Sequence, residues 1–205
     1  MKLVIATANA GKAKEFREML GAERFEWSDL SSHREIAIAE ETGKTFRANA
    51  CLKASYYAKK LDSWALADDS GLVVDALDGL PGVLSARWAE TNGTGKGDAD
   101  NNATLLKQLA DVPDEKRTAR FVCVLALADR DGRIVLTTQD SVEGTIIHAP
   151  RGSNGFGYDP LFFFTQFNKT TAELSPEQKH AISHRGKALR RMKSLLEGNC
   201  RMLIS

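Results

Sequence analysis

Cysteine is scarce in this chain of 205 residues, and the three present, Cys51, Cys123 and Cys200, form an odd, scattered set. No CxxC pair or Cys/His cluster has zinc spacing, so neither a disulfide scaffold nor a structural zinc site is expected. Cys123 lies in an apolar run and reads as a small core residue. Long hydrophobic stretches are also missing: no run approaches the ~20 residues of a membrane span. The opening MKLVIATAN has no long apolar segment and no small-residue cleavage site, so no secretory signal is expected. Reduced thiols and a cytoplasmic location follow as expectations. Neither charge sign dominates, with 28 Lys and Arg against 27 Asp and Glu and a net charge of +1. That balance provides no bulk attraction for nucleic acid or an anionic membrane. Repeats and low-complexity tracts are absent.

What remains is a globular composition, 42% hydrophobic and 27% charged, in a length suited to one domain or one domain with two lobes. Strand-like and helix-like segments alternate, which favours an α/β fold. Lys2–Ala6 reads as a buried strand, followed by a turn over Thr7–Gly11 and a helix over Lys12–Leu20 with Phe16, Met19 and Leu20 inward. Phe46–Lys60 reads as a second helix. Trp64–Ala67 is a strand running into Asp68-Asp69-Ser70-Gly71, and Leu72–Val74 is a separate short strand. Asn92–Asn102 is a loop by composition, followed by a helix near Ala103–Leu109. Phe121–Ala128 and Arg133–Thr138 flank Asp131-Gly132, a hairpin signal, and Val142–His148 is the next strand. Hairpins among βα units predict a mixed sheet. One long helix is expected from Pro176 to about Glu197, with Ser175 as N-cap, Pro176 at the first helical position and Gln178 completing a capping box.

Four segments carry polar chemistry. Thr7-Ala8-Asn9-Ala10-Gly11-Lys12 follows a strand and opens a helix, where backbone N–H groups favour phosphate. It does not match a phosphate-binding P-loop, because Ala6 and Ala13 stand where a glycine and a hydroxyl are needed; an ordinary βα turn explains it equally well. Asp68 and Asp69 are adjacent in an extended segment and so point to opposite faces. They suit Mg²⁺, which prefers carboxylate, water and substrate phosphate, or else a solvated Asx-turn. Gly152–Pro160 is glycine-rich and holds Phe156, Tyr158 and Asp159; the aromatics either stack on a flat ring or cap the core. On the last helix Arg185 falls on the apolar face with His184 at its edge. Arginine keeps its charge, so Arg185 needs an acceptor there, either a core carboxylate or an anionic or carbonyl ligand. Taken together, phosphate donors, carboxylates and an aromatic platform suit a nucleoside triphosphate.

In this combination the sequence resembles the inosine triphosphate pyrophosphatase family. The matching stretches are TANAGK (7–12), EETGKTFRANACLKA (40–54), ADDSGLVVDALDGLPGVLSAR (67–87), GFGYDP (155–160) and AELSPEQKHAISHRGKAL (172–189), in the family's order. Ala8 departs from the glycine usual there. The resemblance implies an elongated mixed sheet flanked by helices, two lobes with a deep cleft between them, and a homodimer. It implies Mg²⁺-dependent hydrolysis of ITP, dITP and XTP to the monophosphate and pyrophosphate. It makes Asp69 the general base and Asp69 with Glu40 the metal carboxylates, although the residues alone leave Glu40 and Glu41 equivalent. Thr7, Ala8, Asn9, Ala10, Gly11, Lys12, Ser70 and Lys179 match phosphate-contacting positions. Phe156, Gly157, Tyr158, Asp159, His184 and Arg185 match base-recognition positions.

On this reading Asp69 orients the attacking water, and its pKa is raised by the like charge of Asp68. Arg185, which has donors only, faces the 6-oxo group of hypoxanthine or xanthine and rejects the adenine amino group. Three rivals are weaker: a hydrolase of other nucleotides, a nucleotide sensor without catalysis, and a nucleic-acid binder using Lys187, Arg190, Arg191 and Lys193. The last four lie mainly on a solvated helix face and make no extended basic stripe.

Overall fold

The computed structural model describes residues 2–20, 26–33 and 35–198. Seven strands form one sheet in the order β2-β1-β3-β4-β5-β6-β7: β1 Lys2–Ile5, β2 Glu26–Asp29, β3 Trp64–Val74, β4 Thr118–Ala128, β5 Ile134–Ile146, β6 Phe162–Phe164 and β7 Lys169–Thr170. β1 pairs in parallel with β2 and β3, whereas β6 pairs antiparallel with β5 and β7, so the sheet is mixed as expected. The helices are α1 Ala10–Leu20, α2 Phe46–Leu61, α3 Trp88–Thr91, α4 Asp98–Gln108, α5 Pro176–Ile182 and α6 His184–Gly198. No helix among the described residues is long and apolar enough to cross a membrane.

The chain divides into two compact units. The first comprises Met1–Asp69, Cys123–Asp140 and Arg185–Ser205, and the second Ser70–Val122 and Ser141–His184. In the first unit, Leu3, Ile5 and Leu66 from the parallel strands pack with Phe16 of α1, with Cys123, Leu125 and Leu127, and with Ala188, Leu189, Met192 and Leu196 of α6. Each fully buried leucine, isoleucine or phenylalanine contributes roughly 1.5–3 kcal/mol. Cys123 is a core residue as expected; Cys51 is also a free thiol, and Cys200 lies outside the described residues. The side chain of Leu20 likewise lies outside them. The second core gathers Leu72, Leu105, Leu109, Phe121, Tyr158, Leu161 and Phe162, among others.

Local chemistry accounts for several boundaries. Thr45 caps α2 by accepting from the Ala48 N–H at 3.1 Å, and α2 ends where Asp62 turns left-handed at φ 44°. Ser175 and Gln178 form the expected capping box at the start of α5. Other boundaries differ from the sequence reading. Asp68-Asp69-Ser70-Gly71 is the middle of an uninterrupted eleven-residue strand, not a strand end. Gly71 allows this: a Cβ there would lie 2.4 Å from Ser85 Oγ and 2.6 Å from the Gly82 carbonyl. β5 is likewise one thirteen-residue strand, not two. Residues 98–102 are the opening of α4, so the glycine-rich loop is shorter than its composition implied.

The long terminal helix is in fact two. Ser183 adopts an extended conformation, φ −68° and ψ 158°, between α5 and α6. The break serves packing: Ile182 packs against the second core, whereas Ala188, Leu189, Met192 and Leu196 belong to the first. A continuous helix would present one apolar stripe to one surface. Ala181, which a continuous helix would place on the same face as Ala188, is exposed.

Candidate active site

β3 places Asp68 and Asp69 on opposite faces, and each carboxylate collects its own partners. Asp68 is 1% exposed. Its Oδ1 lies 3.1 Å from Lys12 Nζ, and Arg185 donates to its Oδ2 from Nη2 at 3.2 Å. Arg185 also donates from Nη1 to Glu15 Oε2 at 2.5 Å. Glu15, Arg185, Asp68 and Lys12 thus form a chain of alternating charge that ends at the opening of α1. Burial alone would raise the Asp68 carboxyl; Lys12, Arg185 and Lys53 outweigh it and hold the group well below the usual carboxylate range. Burial likewise opposes the Arg185 charge, and Asp68 with Glu15 more than restores it.

Asp69 faces α2. Its Oδ1 accepts from Lys53 Nζ at 2.9 Å and its Oδ2 from Asn49 Nδ2 at 3.2 Å. Asn49 and Lys53 are four residues apart and share one helix face. Lys53 also donates to Glu41 Oε1 at 2.7 Å, so one ammonium links the two carboxylates. Asn49 Oδ1 accepts from the Gly43 N–H at 2.7 Å, which ties the segment carrying Glu41 to the start of α2. A Cβ at Gly43 would lie 2.5 Å from that same oxygen. The Asp69 pKa is raised, with burial as the largest cause and Lys53 and Lys12 opposing it. The direction matches expectation, but the cause is desolvation, with a like charge from Glu41 added last. Lys53 is held protonated: burial would lower its pKa, and Asp69, Asp68 and Glu41 overcome that.

The turn before α1 is internally bonded. Thr7 Oγ1 accepts from the Asn9 N–H at 3.2 Å and Asn9 Oδ1 from the Lys12 N–H at 3.0 Å. The Asn9 carbonyl oxygen therefore caps the helix and leaves its amide NH2 as a donor. Ala8, Asn9 and Ala10 are exposed, and Thr7, Gly11 and Lys12 are half-buried.

A second cluster lies wholly in the second unit. Lys179 is buried, donates to Asp159 Oδ2 at 2.6 Å, and stands 4.8 Å from the centre of the Phe156 ring. Asp159 Oδ2 also accepts from the Phe156 N–H at 2.9 Å. The Tyr158 hydroxyl donates to the Ser85 carbonyl at 3.0 Å, so this aromatic anchors the loop to the core, while the Phe156 ring is half-buried. The His184 ring stacks on Phe121 at 4.9 Å and 16°.

Three of the expected site residues have defined partners. Arg185 is 2% exposed and meets the core-carboxylate alternative: a charge on an apolar helix face requires buried counter-charges and finds Glu15 and Asp68. The ammonium of Lys179 pairs with Asp159 at 2.6 Å. Glu40 is exposed, and Glu41 is the member of the pair joined to Asp69 through Lys53. Ser70 is half-buried within β3. Glu15, Asn49 and Lys53 escaped the sequence reading. The signal for the last two was a polar pair at i,i+4 among Ala50, Ala54 and Tyr57, which are buried.

Among the described residues no group of three or more His, Cys, Asp or Glu side chains is arranged to hold a metal ion. Asp69 and Glu41 still fit a hard divalent ion. Both offer oxygen donors, and a cationic nitrogen already sits between them. Two carboxylates with the remaining positions left to water and phosphate is the pattern that suits Mg²⁺.

The model of the Ham1 family matches residues 3–195. The dITP/XTP pyrophosphatase of Exiguobacterium sibiricum is 50% identical over 196 residues, 96% of this chain and 97% of the relative. That of Listeria monocytogenes serovar 1/2a is also 50% identical, over 96% of this chain and 95% of the relative. A HAM1 protein from Coxiella burnetii superimposes with a TM-score of 0.85 at 40% identity, covering 97% of this chain and 99% of that one.

Proposed function

Because this chain belongs to the Ham1 family, we propose that it hydrolyses non-standard purine nucleoside triphosphates, ITP, dITP and XTP, to the monophosphate and pyrophosphate. The observation that carries this is the division of labour between the two adjacent aspartates. Asp68 is locked as a carboxylate in a buried ion chain that reaches Lys12, whereas Asp69 is raised in pKa and linked to Lys53, Asn49 and, through Lys53, Glu41. A sensor without chemistry gains nothing from a second buried carboxylate tuned toward proton uptake.

Asp69 accepts the proton of the water that attacks the α-phosphorus. Its carboxylate is oriented by Asn49 and Lys53, and its raised pKa makes it a stronger base than an exposed aspartate. Lys12, positioned by Asp68, neutralises phosphate charge at the opening of α1, and Thr7–Gly11 and Ser70 complete the phosphate contacts. Asp69 and Glu41 would hold Mg²⁺, with Glu41 favoured over Glu40 by its link through Lys53. When bound, the ion supplies charge neutralisation and orientation of the triphosphate. In the second unit, Phe156 with Gly157, Tyr158, Asp159 and His184 serves the base, with Lys179 holding the Phe156 loop. Arg185 acts indirectly, by fixing Asp68. One domain built of both units, a homodimer and a cytoplasmic location belong to the same reading.

The test is release of pyrophosphate from ITP, XTP, dITP, GTP, ATP and dUTP, with and without Mg²⁺. Fast Mg²⁺-dependent release from ITP, dITP and XTP, with ATP and GTP far slower, is the expected result. Release of orthophosphate instead, or equal rates across the purines, would sink the α-phosphorus chemistry or the base selection, respectively.

A further inference from the structure

The loop carrying Phe156 is held from a direction that the ion pair of Asp159 and Lys179 does not explain. Gly157, left-handed at φ +62°, has both of its backbone polar groups engaged by one helix. Its N–H donates to Asp98 Oδ2 at 2.6 Å, and its carbonyl accepts from Asn102 Nδ2 at 2.9 Å. Asp98 and Asn102 are four residues apart, so they stand on the same face of the first turns of α4. The Asn102 Oδ1 finds no hydrogen-bond partner among the described residues, so the donation to Gly157 is the hydrogen bond that its side chain makes there. Asp159 meanwhile holds the Phe156 N–H, at 2.9 Å. The peptides on both sides of Phe156 are thereby fixed, and the ring retains little freedom beyond its own side-chain torsions.

We propose that Asp98 and Asn102 are positioning residues for base specificity: by clamping both polar groups of Gly157, α4 sets the orientation of the Phe156 ring on which the purine stacks. The inference rests on the reading of Phe156 as a base platform. It gives the opening of α4 a task in ground-state recognition that is separate from the phosphate chemistry around Asp69. Stacking energy depends on ring placement, and a loosened platform loses affinity for the base without altering the general base. Both side chains act on one residue, Gly157, through its two flanking peptides, so their effects are coupled and less than additive.

The experiment measures Kd for inosine monophosphate by calorimetry, alongside kcat and KM for ITP hydrolysis. The proteins compared are the wild type, Asp98→Ala, Asp98→Asn, Asn102→Ala, the double alanine variant and Asp100→Ala. Asp100 is the control: it lies in the same first turn and accepts from the Lys96 N–H at 2.7 Å, so its removal perturbs the helix start without touching Gly157. Asp98→Ala and Asn102→Ala are expected to weaken binding of the monophosphate and raise KM by about tenfold each, with kcat within about twofold. The double variant is expected to be little worse than either single one. Asp98→Asn retains an oxygen acceptor for Gly157 and should recover most of the loss, and Asp100→Ala should bind as the wild type does. Unchanged binding in both alanine variants, or equal losses in Asp100→Ala, would overturn the clamp. So would a wild type that binds no inosine monophosphate. A wild type that binds inosine monophosphate but does not hydrolyse ITP would refute the proposed reaction, and the binding series would still decide the clamp.

Discussion

Arg185 Nη2 lies 3.2 Å from Asp68 Oδ2, a buried pair formed by residues 117 positions apart. With Glu15 on its other side, this guanidinium joins Lys12 in holding an aspartate in the middle of β3 as a carboxylate. On the proposed mechanism the neighbouring Asp69 is left to do the proton chemistry, which separates structural charge from reactive charge within two consecutive residues.

Removing Arg185 should therefore act first on stability. Arg185→Met leaves Glu15 and Asp68 buried without their shared counter-charge, a loss of about 3–5 kcal/mol. Folded Asp68 has a depressed pKa, so its contribution is present above the ordinary carboxylate value and is lost as pH falls through the folded value. Arg185 supports that depression, so acid unfolding of the variant should begin at higher pH than in the wild type. Denaturant melts followed from neutral to acid pH read both effects.

Asp69→Asn preserves shape but cannot take up the proton of the attacking water. Pyrophosphate release from ITP should fall by about 10²–10⁴-fold, the typical worth of a positioned general base. KM should change far less than kcat. Near-normal turnover with unchanged Mg²⁺ dependence would remove Asp69 from the role of base.

Lys53 opposes the burial-driven rise of the Asp69 pKa. In Lys53→Met that opposition disappears and the Asp69 pKa rises further. Activity requires the ionised carboxylate, so the acid limb of the pH profile of kcat/KM should move to higher pH. A limb that stays in place while the rate falls would mean that Lys53 acts on substrate rather than through Asp69.

Gly71 is the point of closest approach in β3. Gly71→Ala would place a Cβ against Ser85 Oγ and the backbone carbonyl of Gly82, and the carbonyl cannot rotate away. Destabilisation of about 1–3 kcal/mol is expected from this overpacking. A thermal melt of the purified variant checks it, and an unchanged midpoint would contradict the contact.

The amino-acid sequence by itself determined the features that depend on a few neighbouring residues. The capping box of Ser175 and Gln178, the turn at Asp131-Gly132, the buried strand at the apolar KLVI segment, and the opposite facing of Asp68 and Asp69 all follow from local periodicity and backbone sterics. Adjacent carboxylates and a glycine-aromatic segment in the right order also marked the family. Only the tertiary structure decided which partner each charged group finds. Arg185 meets Glu15 170 positions away, and Asp69 meets Asn49 and Lys53, 20 and 16 positions away. The continuity of β3 through Asp68-Asp69-Ser70-Gly71 and the break of the last helix at Ser183 were likewise illegible locally. The first depends on Gly71 fitting against Ser85, and the second on two apolar faces being drawn to different cores. Burial sets the energy of a charge, and burial is a property of everything packed around it, so the pKa values and pairings of this site belong to the fold as a whole.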